Sequence, residues 1–496
     1  MDRRRFCRTA MAAGVAASYP LISGCSRSEP PAVAKADASI PAIALDGSEM
    51  ALSKGQIKEL VDALSGPVLL SEHPDYDRTR KVWNGMHDKH PALIARCQNS
   101  QDICHAVDFA RDNSLLLAVR GGGHSWPGKS VCDGGLMLDL AQMTNVDIDV
   151  EGQTAWCEGG ALLGNLDDAT LAKGLVTTAG VVSHTGVGGF TLGGGFGRLN
   201  RMYGLTIDNL IGAEIITADG QVRYVSADNE PDLFWAIRGG GGNFGVVSRF
   251  QYQLHPFDRN VLSGMLVWPV EQARDVLEFY AGWQGGLSRE MYTGPVMATM
   301  PDGTNIVAVE VVYNGDPAQG EKELAPLRAV GTLMMDGVLV QDYKVTQTQE
   351  DATTAHGIRS YAKNGLVGEF TQGLVDDMID AYIPDPRTAI FTHTCGGAVK
   401  DHGEADTAFP HRNAETMIVY YSGWSDPADD EEGKAMCKQW HSALSAHHGG
   451  YYDNIEQETA GTVSSNYGPN FARLQGIKTT YDSGNLFRLN SNIEPG

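Results

Sequence analysis

The sequence predicts an α+β chain of two lobes, and three observations point there. It has 496 residues, enough for two to four domains at roughly 100–200 residues each. Positions 121–245 hold 27 of its 59 glycines, the sign of a backbone that comes close to something large. At His255-Pro256 the glycine density falls, and strands and helices alternate from there to about 454. Hydrophobic residues at 42% and charged residues at 20% are an ordinary globular balance, excluding disordered, collagen-like and coiled-coil chains. Net charge is 38 − 61 = −23. Such a surface repels phosphate backbones, so no nucleic-acid partner is expected.

Residues 1–24 read as an export signal: Arg3, Arg4 and Arg5 precede Phe6, and an uncharged run follows from Thr9 to Ser26. The arginines resemble a twin-arginine signal, which predicts a periplasmic protein. Ile22-Ser23-Gly24-Cys25 resembles a lipoprotein box, with Cys25 as a lipid anchor; plain cleavage near Gly24 is the alternative. The Ala-, Pro- and Ser-rich stretch over 25–48 predicts a flexible tether. Helices are expected at 55–65 and 102–112, where apolar residues fall near helical spacing. Leu115–Val119, 136–140, 211–217 and 245–253 read as strands, with Ala218-Asp219-Gly220 as a hairpin turn. Beyond 256, Asn305–Gly315 and Met417–Trp424 read as strands, and Gln272–Trp283 and Glu431–Ala446 as helices. The tail from Tyr467 to Ile493 is turn-rich. Six cysteines beyond Cys25 contain no CxxC pair, which removes zinc-finger and thioredoxin readings and predicts no metal site; disulfides stay open.

Three glycine loops carry the chemistry. Arg120-Gly121-Gly122-Gly123-His124-Ser125-Trp126-Pro127-Gly128 follows a strand, and its backbone N–H groups can converge on an anion such as a diphosphate. The second runs from Gly180 to Gly197. The third, Arg238 to Gly245, contains a literal GxGxxG, but a strand follows it where a dinucleotide fingerprint requires a helix.

RGGGHSWPG from Arg120, TGVGGFTLGGGFGRLNRMYGLTIDNL from Thr185, DLFWAIRGGGGNFGVVSRF from Asp232, TAFPHRNAE from Thr407 and YGPNFARLQGIKTTYDSGNLFRLNSNI from Tyr467 resemble berberine-bridge-enzyme-like FAD-linked oxidases of the vanillyl-alcohol-oxidase superfamily. The resemblance covers about 70 to 496. It implies a PCMH-type FAD-binding domain made of 49–255 and completed by 455–496. It also implies a substrate domain inserted at 256–454, an antiparallel sheet covered by helices. His124 stands where the family attaches FAD through the 8α-methyl group. Arg120, Gly121, Gly122, Gly123, Ser125, Gly180, Val182, Thr185, Gly186, Gly189, Val247, Tyr467 and Asn470 are the positions the resemblance places about the cofactor, with Thr185 near oxygen access.

Three departures matter. Val182 stands where many members carry a second, cysteinyl flavin link, so a single link through His124 is expected. Phe190 replaces a frequent His, and Ile455 replaces the Tyr at the family's common base position. The candidate bases are then Tyr452 and Tyr467, if their pKa values are depressed, and Glu310, if desolvated within its apolar strand. His184, in the second loop, is next. The resemblance implies hydride transfer from a small organic substrate to flavin N5, with dioxygen reduced to hydrogen peroxide. A dehydrogenase with a quinone or protein acceptor, or a non-catalytic flavin-binding lipoprotein, stays open as an alternative.

Overall fold

The structure is a computed structural model, and it describes residues 39–496. The export signal, Cys25 and most of the expected tether lie outside the described residues. The rest of the tether is not one: Ile40–Ile43 pairs antiparallel with Glu49–Leu52. Ala42 is buried, and Ile43 exchanges backbone hydrogen bonds with Gly134 and Leu116. Apolar residues at alternate positions, with Pro41 on an edge strand, let a short hairpin form where composition alone pointed to a linker.

The first lobe has two sheets. In the smaller, strands run in the order Val68–Leu69, Leu93–Arg96, Leu136–Asp139, Leu117–Arg120, and the last three are parallel. Helix Ser100–Asp112 makes the crossover between two of them. Asn99 caps it by accepting from Asp102 N, and Ile103, Ala106, Val107 and Ala110 pack onto the sheet. The second sheet is antiparallel, in the order Val222–Ser226, Leu210–Ile216, Val246–Gln253, Thr154–Glu158, Val146–Asp149. Its first hairpin turns at Ala218-Asp219-Gly220, where Gly220 has φ +74°.

The tail is not all turn. Phe471–Tyr481 is an 11-residue helix whose Leu474 and Ile477 join the core of the second sheet. Gly476, Thr479 and Thr480 are poor helix formers, and they hide it from a propensity reading. Tertiary contact holds it instead. Lys478, fully buried, donates to Asp482 and to the Asn243 carbonyl, both at 2.7 Å.

The second lobe is one antiparallel sheet with Asn260–Pro269, Asn305–Tyr313, Met291–Thr299, Thr388–Thr394, Thr416–Trp424 and Arg359–Val367 in spatial order, edged by Met335–Asp336 and Leu339–Asp342. Side chains alternate across it. Val307, Val309, Val311, Ile418 and Tyr420 meet helices Ala273–Trp283, Gln372–Asp380 and Asp430–Leu444 on one face. The opposite set, including Ala308, Glu310, Phe391, His393 and Tyr421, is turned away from those helices. The six cysteines that the structure describes are free and buried, with no disulfide.

Candidate active site

The first two glycine loops touch backbone to backbone. A methyl group added at Gly122 would lie 2.4 Å from Gly186 Cα, and one at Gly186 would lie 2.4 Å from Gly122 N. Gly121 and Gly188 each leave only 3.0 Å between an added carbon and the Gly159 carbonyl oxygen. Gly180 faces Phe190 and Leu163, and Val247 packs its carbonyl against Gly159. Gly189, by contrast, is exposed, and among the described residues nothing lies within 4 Å of an added carbon. The third loop differs: Gly239, Gly240, Gly242 and Gly245 abut Phe409, Ala236, Asn490 and Ile216, so these glycines serve packing.

Arg120 braces the first loop. Its Nη1 pairs with Asp139 Oδ1 at 2.9 Å, while Arg96 takes the other oxygen of that fully buried carboxylate at 3.1 Å. Arg120 Nε is buried beside Gly123 with no hydrogen-bond partner among the described residues. Ser125 Oγ accepts from Lys129 N, which closes the loop. In the second loop, Val182 and Thr185 are half-buried, and the Val182 carbonyl accepts from Thr185 N. An elongated anionic cofactor fits what is here: half-exposed backbone at Gly121 and Gly122, open space at Gly189, and an orphan cationic donor beside them.

His124 stacks on Trp83 with ring centroids 4.2 Å apart. Its Nε2 lies 3.1 Å from His184 Nδ1. His356 from the second lobe lies 5.1 Å from the His184 ring and stands edge-on to His124 at 6.5 Å. Burial, together with repulsion from His184 and His356, pushes His124 down to about 3, so its imidazole is neutral at physiological pH. Burial also lowers His184 and His356. Among the described residues, no group of three or more His, Cys, Asp or Glu is placed to hold a metal ion. Trp83 Nε1 donates to the Thr354 carbonyl at 2.6 Å, and Gly357 N donates to the Trp83 carbonyl at 2.9 Å. Trp83, Thr354 and His356 escape a sequence reading because no local motif connects positions so far apart.

The candidate bases fare differently. Tyr467 is buried in the first-lobe core, and its hydroxyl donates to the Gly239 carbonyl at 3.1 Å. Tyr452 is buried against Phe196, and its hydroxyl accepts from Gly195 N at 3.1 Å and Asn454 Nδ2 at 2.7 Å. Burial raises both phenols, opposite to the depression a phenolic base needs. Asn470 Nδ2 donates to the Glu404 carbonyl at 2.7 Å, so it ties the chain around 404 to the tail rather than presenting a free amide to a cofactor. Glu310 does share its sheet face with Ile306 and Ala308, but it is not an isolated carboxylate. Arg198, from the second glycine loop and 1% exposed, grips Glu310 Oε1 through Nε at 2.9 Å and Nη2 at 2.8 Å, and Gln349 adds a third donor at 2.7 Å. Glu350 sits 3.9 Å from the same guanidinium, and burial and the neighbouring Glu310 raise its carboxyl.

Similarity to known proteins agrees with this geometry. Residues 91–226 match the family model described as FAD binding domain, and 451–494 match the one described as berberine and berberine like. The chain is 33% identical over 449 residues to an FAD-linked oxidoreductase of Dictyostelium discoideum, covering 88% of this chain and 97% of that one. It is 31% identical over 460 residues to (R)-6-hydroxynicotine oxidase of Paenarthrobacter nicotinovorans, covering 87% and 97%. The solved structure of 6-hydroxy-D-nicotine oxidase from Arthrobacter nicotinovorans superposes with a TM-score of 0.81 at 29% identity, over 87% of this chain and 98% of that one. With its glycine loops, its completing tail and these relatives agreeing, the chain belongs to the berberine-bridge-enzyme-like FAD-linked oxidoreductases of the PCMH-type fold.

Proposed function

We propose that this chain is an exported FAD-linked oxidase acting on a small organic substrate, with its FAD held covalently by His124 alone. The observation that carries this reading is a neutral imidazole at the tip of the first glycine loop, stacked on Trp83 beside backbone that only glycine permits. Gly121, Gly122 and Gly189 would line the cofactor, and Val182 offers no thiol for a second link. Held there, FAD would supply a hydride acceptor for a C–H on a carbon bearing OH or NH, with dioxygen as the final electron acceptor.

The protein's own part is to bind, orient and deprotonate. Substrate would sit against the second-lobe sheet, where Val296, Phe391 and Tyr421 remain half-buried beside fully buried neighbours. Trp126, edge-on to Tyr421 at 5.9 Å, joins that surface to the His124 loop. Glu310 is the one carboxylate among the candidates on this face; Arg198 and Gln349 hold its Oε1, and we assign its Oε2 the substrate's O–H or N–H proton. The named relative that oxidises 6-hydroxynicotine supports oxidase chemistry here.

Acid precipitation tests the attachment: flavin should stay with the wild-type chain, and His124→Ala should release it. Free flavin from the wild type overturns the covalent reading. Export rests on Arg3, Arg4 and Arg5. Replacing all three by Lys, which lacks the guanidinium fork, should strand the enzyme in the cytoplasm. Labelled palmitate lost in Cys25→Ser would establish the lipid anchor, and unchanged labelling would remove it.

A further inference from the structure

The hydrogen bonds around His124 determine which of its nitrogens carries hydrogen. Thr354 Oγ1 donates to the Glu350 carbonyl at 2.8 Å, an acceptor that has no hydrogen to give. The hydroxyl's remaining role towards His184 Nε2, 3.4 Å away, is to accept. That contact favours the His184 tautomer with hydrogen on Nε2 and a lone pair at Nδ1. That lone pair faces His124 Nε2 at 3.1 Å, so His124 is the donor and keeps its own lone pair on Nδ1. The Thr354–Glu350 bond, four residues in one loop of the second lobe, thus sets the tautomer of an imidazole in the first.

We propose that His184 is the proton acceptor for covalent flavin attachment to His124, with Thr354 as the positioning residue that keeps His184 ready. The inference rests on the reading that His124 carries the flavin. In the coupling step His124 Nδ1 forms a bond to the 8α carbon. That carbon loses one hydrogen as a proton, and His124 Nε2 gives up its hydrogen to His184 Nδ1. The two electrons of the broken C–H bond pass through the flavin to dioxygen, which takes up two protons as hydrogen peroxide. Without an acceptor, His124 would end as an imidazolium in a buried site stacked on Trp83, which desolvation disfavours. His184 lies at the right distance and is only half-buried, so it can return the proton to water.

The test uses full-length apoprotein from riboflavin-starved cells, mixed with FAD in air, and follows acid-stable flavin per chain over time. Wild type should couple, and His184→Gln, whose amide oxygen accepts a hydrogen bond but not a proton, should couple at least about 100-fold more slowly. FAD retained by the same variant on ultrafiltration before acid shows that it folds and binds cofactor. Thr354→Val should also slow coupling, and Thr354→Ser, which restores the hydroxyl, should recover it. NMR of the histidyl-flavin peptide from wild type should show the bond at Nδ1. A wild type that never couples defeats the His124 reading itself. Coupling by His184→Gln at the wild-type rate, or a bond at Nε2, overturns the role of His184 while leaving that reading intact.

Discussion

Tyr467 and Glu310 separate packing from chemistry at the scale of single residues. Tyr467→Phe leaves the Gly239 carbonyl without its donor, which should cost about 1–3 kcal/mol of stability. Anaerobic stopped-flow should show flavin reduction within a few-fold of wild type, because a raised, buried phenol is no base. Glu310→Gln keeps an amide oxygen for Arg198 but cannot take a proton, so reduction should slow by about 10²–10⁴-fold with reoxidation unchanged. Equal reduction rates in the two variants would remove Glu310 from the mechanism. The alternation of Ile306, Ala308 and Glu310 was legible in the sequence. Arg198 as its partner was not, since the pair lies 112 positions apart and joins the two lobes.

At the scale of elements, the glycine loops divide into those that meet protein and those that meet open space. Gly122→Ala places a carbon 2.4 Å from Gly186 Cα and 2.6 Å from Gly186 N, backbone that cannot swing aside as a side chain can. It should lower the thermal midpoint and cofactor content together. Gly189→Ala meets nothing within 4 Å, so the apoprotein should keep its midpoint while FAD binding weakens, as isothermal titration would measure. If Gly189→Ala binds FAD normally, that opening is not part of the cofactor site. The helix Phe471–Tyr481 depends on one buried pair. Lys478→Met removes the cation and strands Asp482, which should cost about 3–5 kcal/mol in chemical denaturation. Loops and strands of this kind are readable from glycine and apolar spacing. This helix was not, because its stability comes from the buried Lys478–Asp482 pair and from Leu474 and Ile477 packing in the first-lobe core rather than from helix propensity.

For the whole molecule, buried histidines set the response to acid. Burial lowers His393, His441 and His448 to about 4 from an ordinary 6.5. Above 6.5 they are neutral in both folded and unfolded chains and contribute nothing to the pH dependence. As pH falls from 6.5 towards 4, the unfolded chain takes up protons that the folded one refuses, so stability falls. His393, held by Tyr292 at 2.6 Å and fully enclosed, accounts for roughly 3 kcal/mol of that loss once pH is below 4. Asp167 acts in the opposite direction: burial raises it from 3.8 to about 7, so its penalty appears as pH rises through that range. These three histidines together with His124, against the raised Asp167 and Glu350, predict a lower urea midpoint at pH 4.5 than at pH 7, and His393→Gln should reduce the difference. An unchanged midpoint would mean these rings are hydrated in solution.

The motifs that carry the family, the two-lobed division and His124 are all written in local sequence, because a glycine loop, a strand alternation and a change of composition are short-range properties. Which atoms surround His124 is a different matter. Trp83, His184 and His356 come from three distant segments, and their meeting depends on the second-lobe loop around Thr354 closing on the first lobe. The same holds for the phenols: a tyrosine in a motif is only a candidate base until burial decides which way its pKa moves. Tertiary packing raised Tyr452 and Tyr467, paired Glu310 with Arg198, and left His124 as a neutral imidazole, because desolvation and charge pairing act across space and not along the chain.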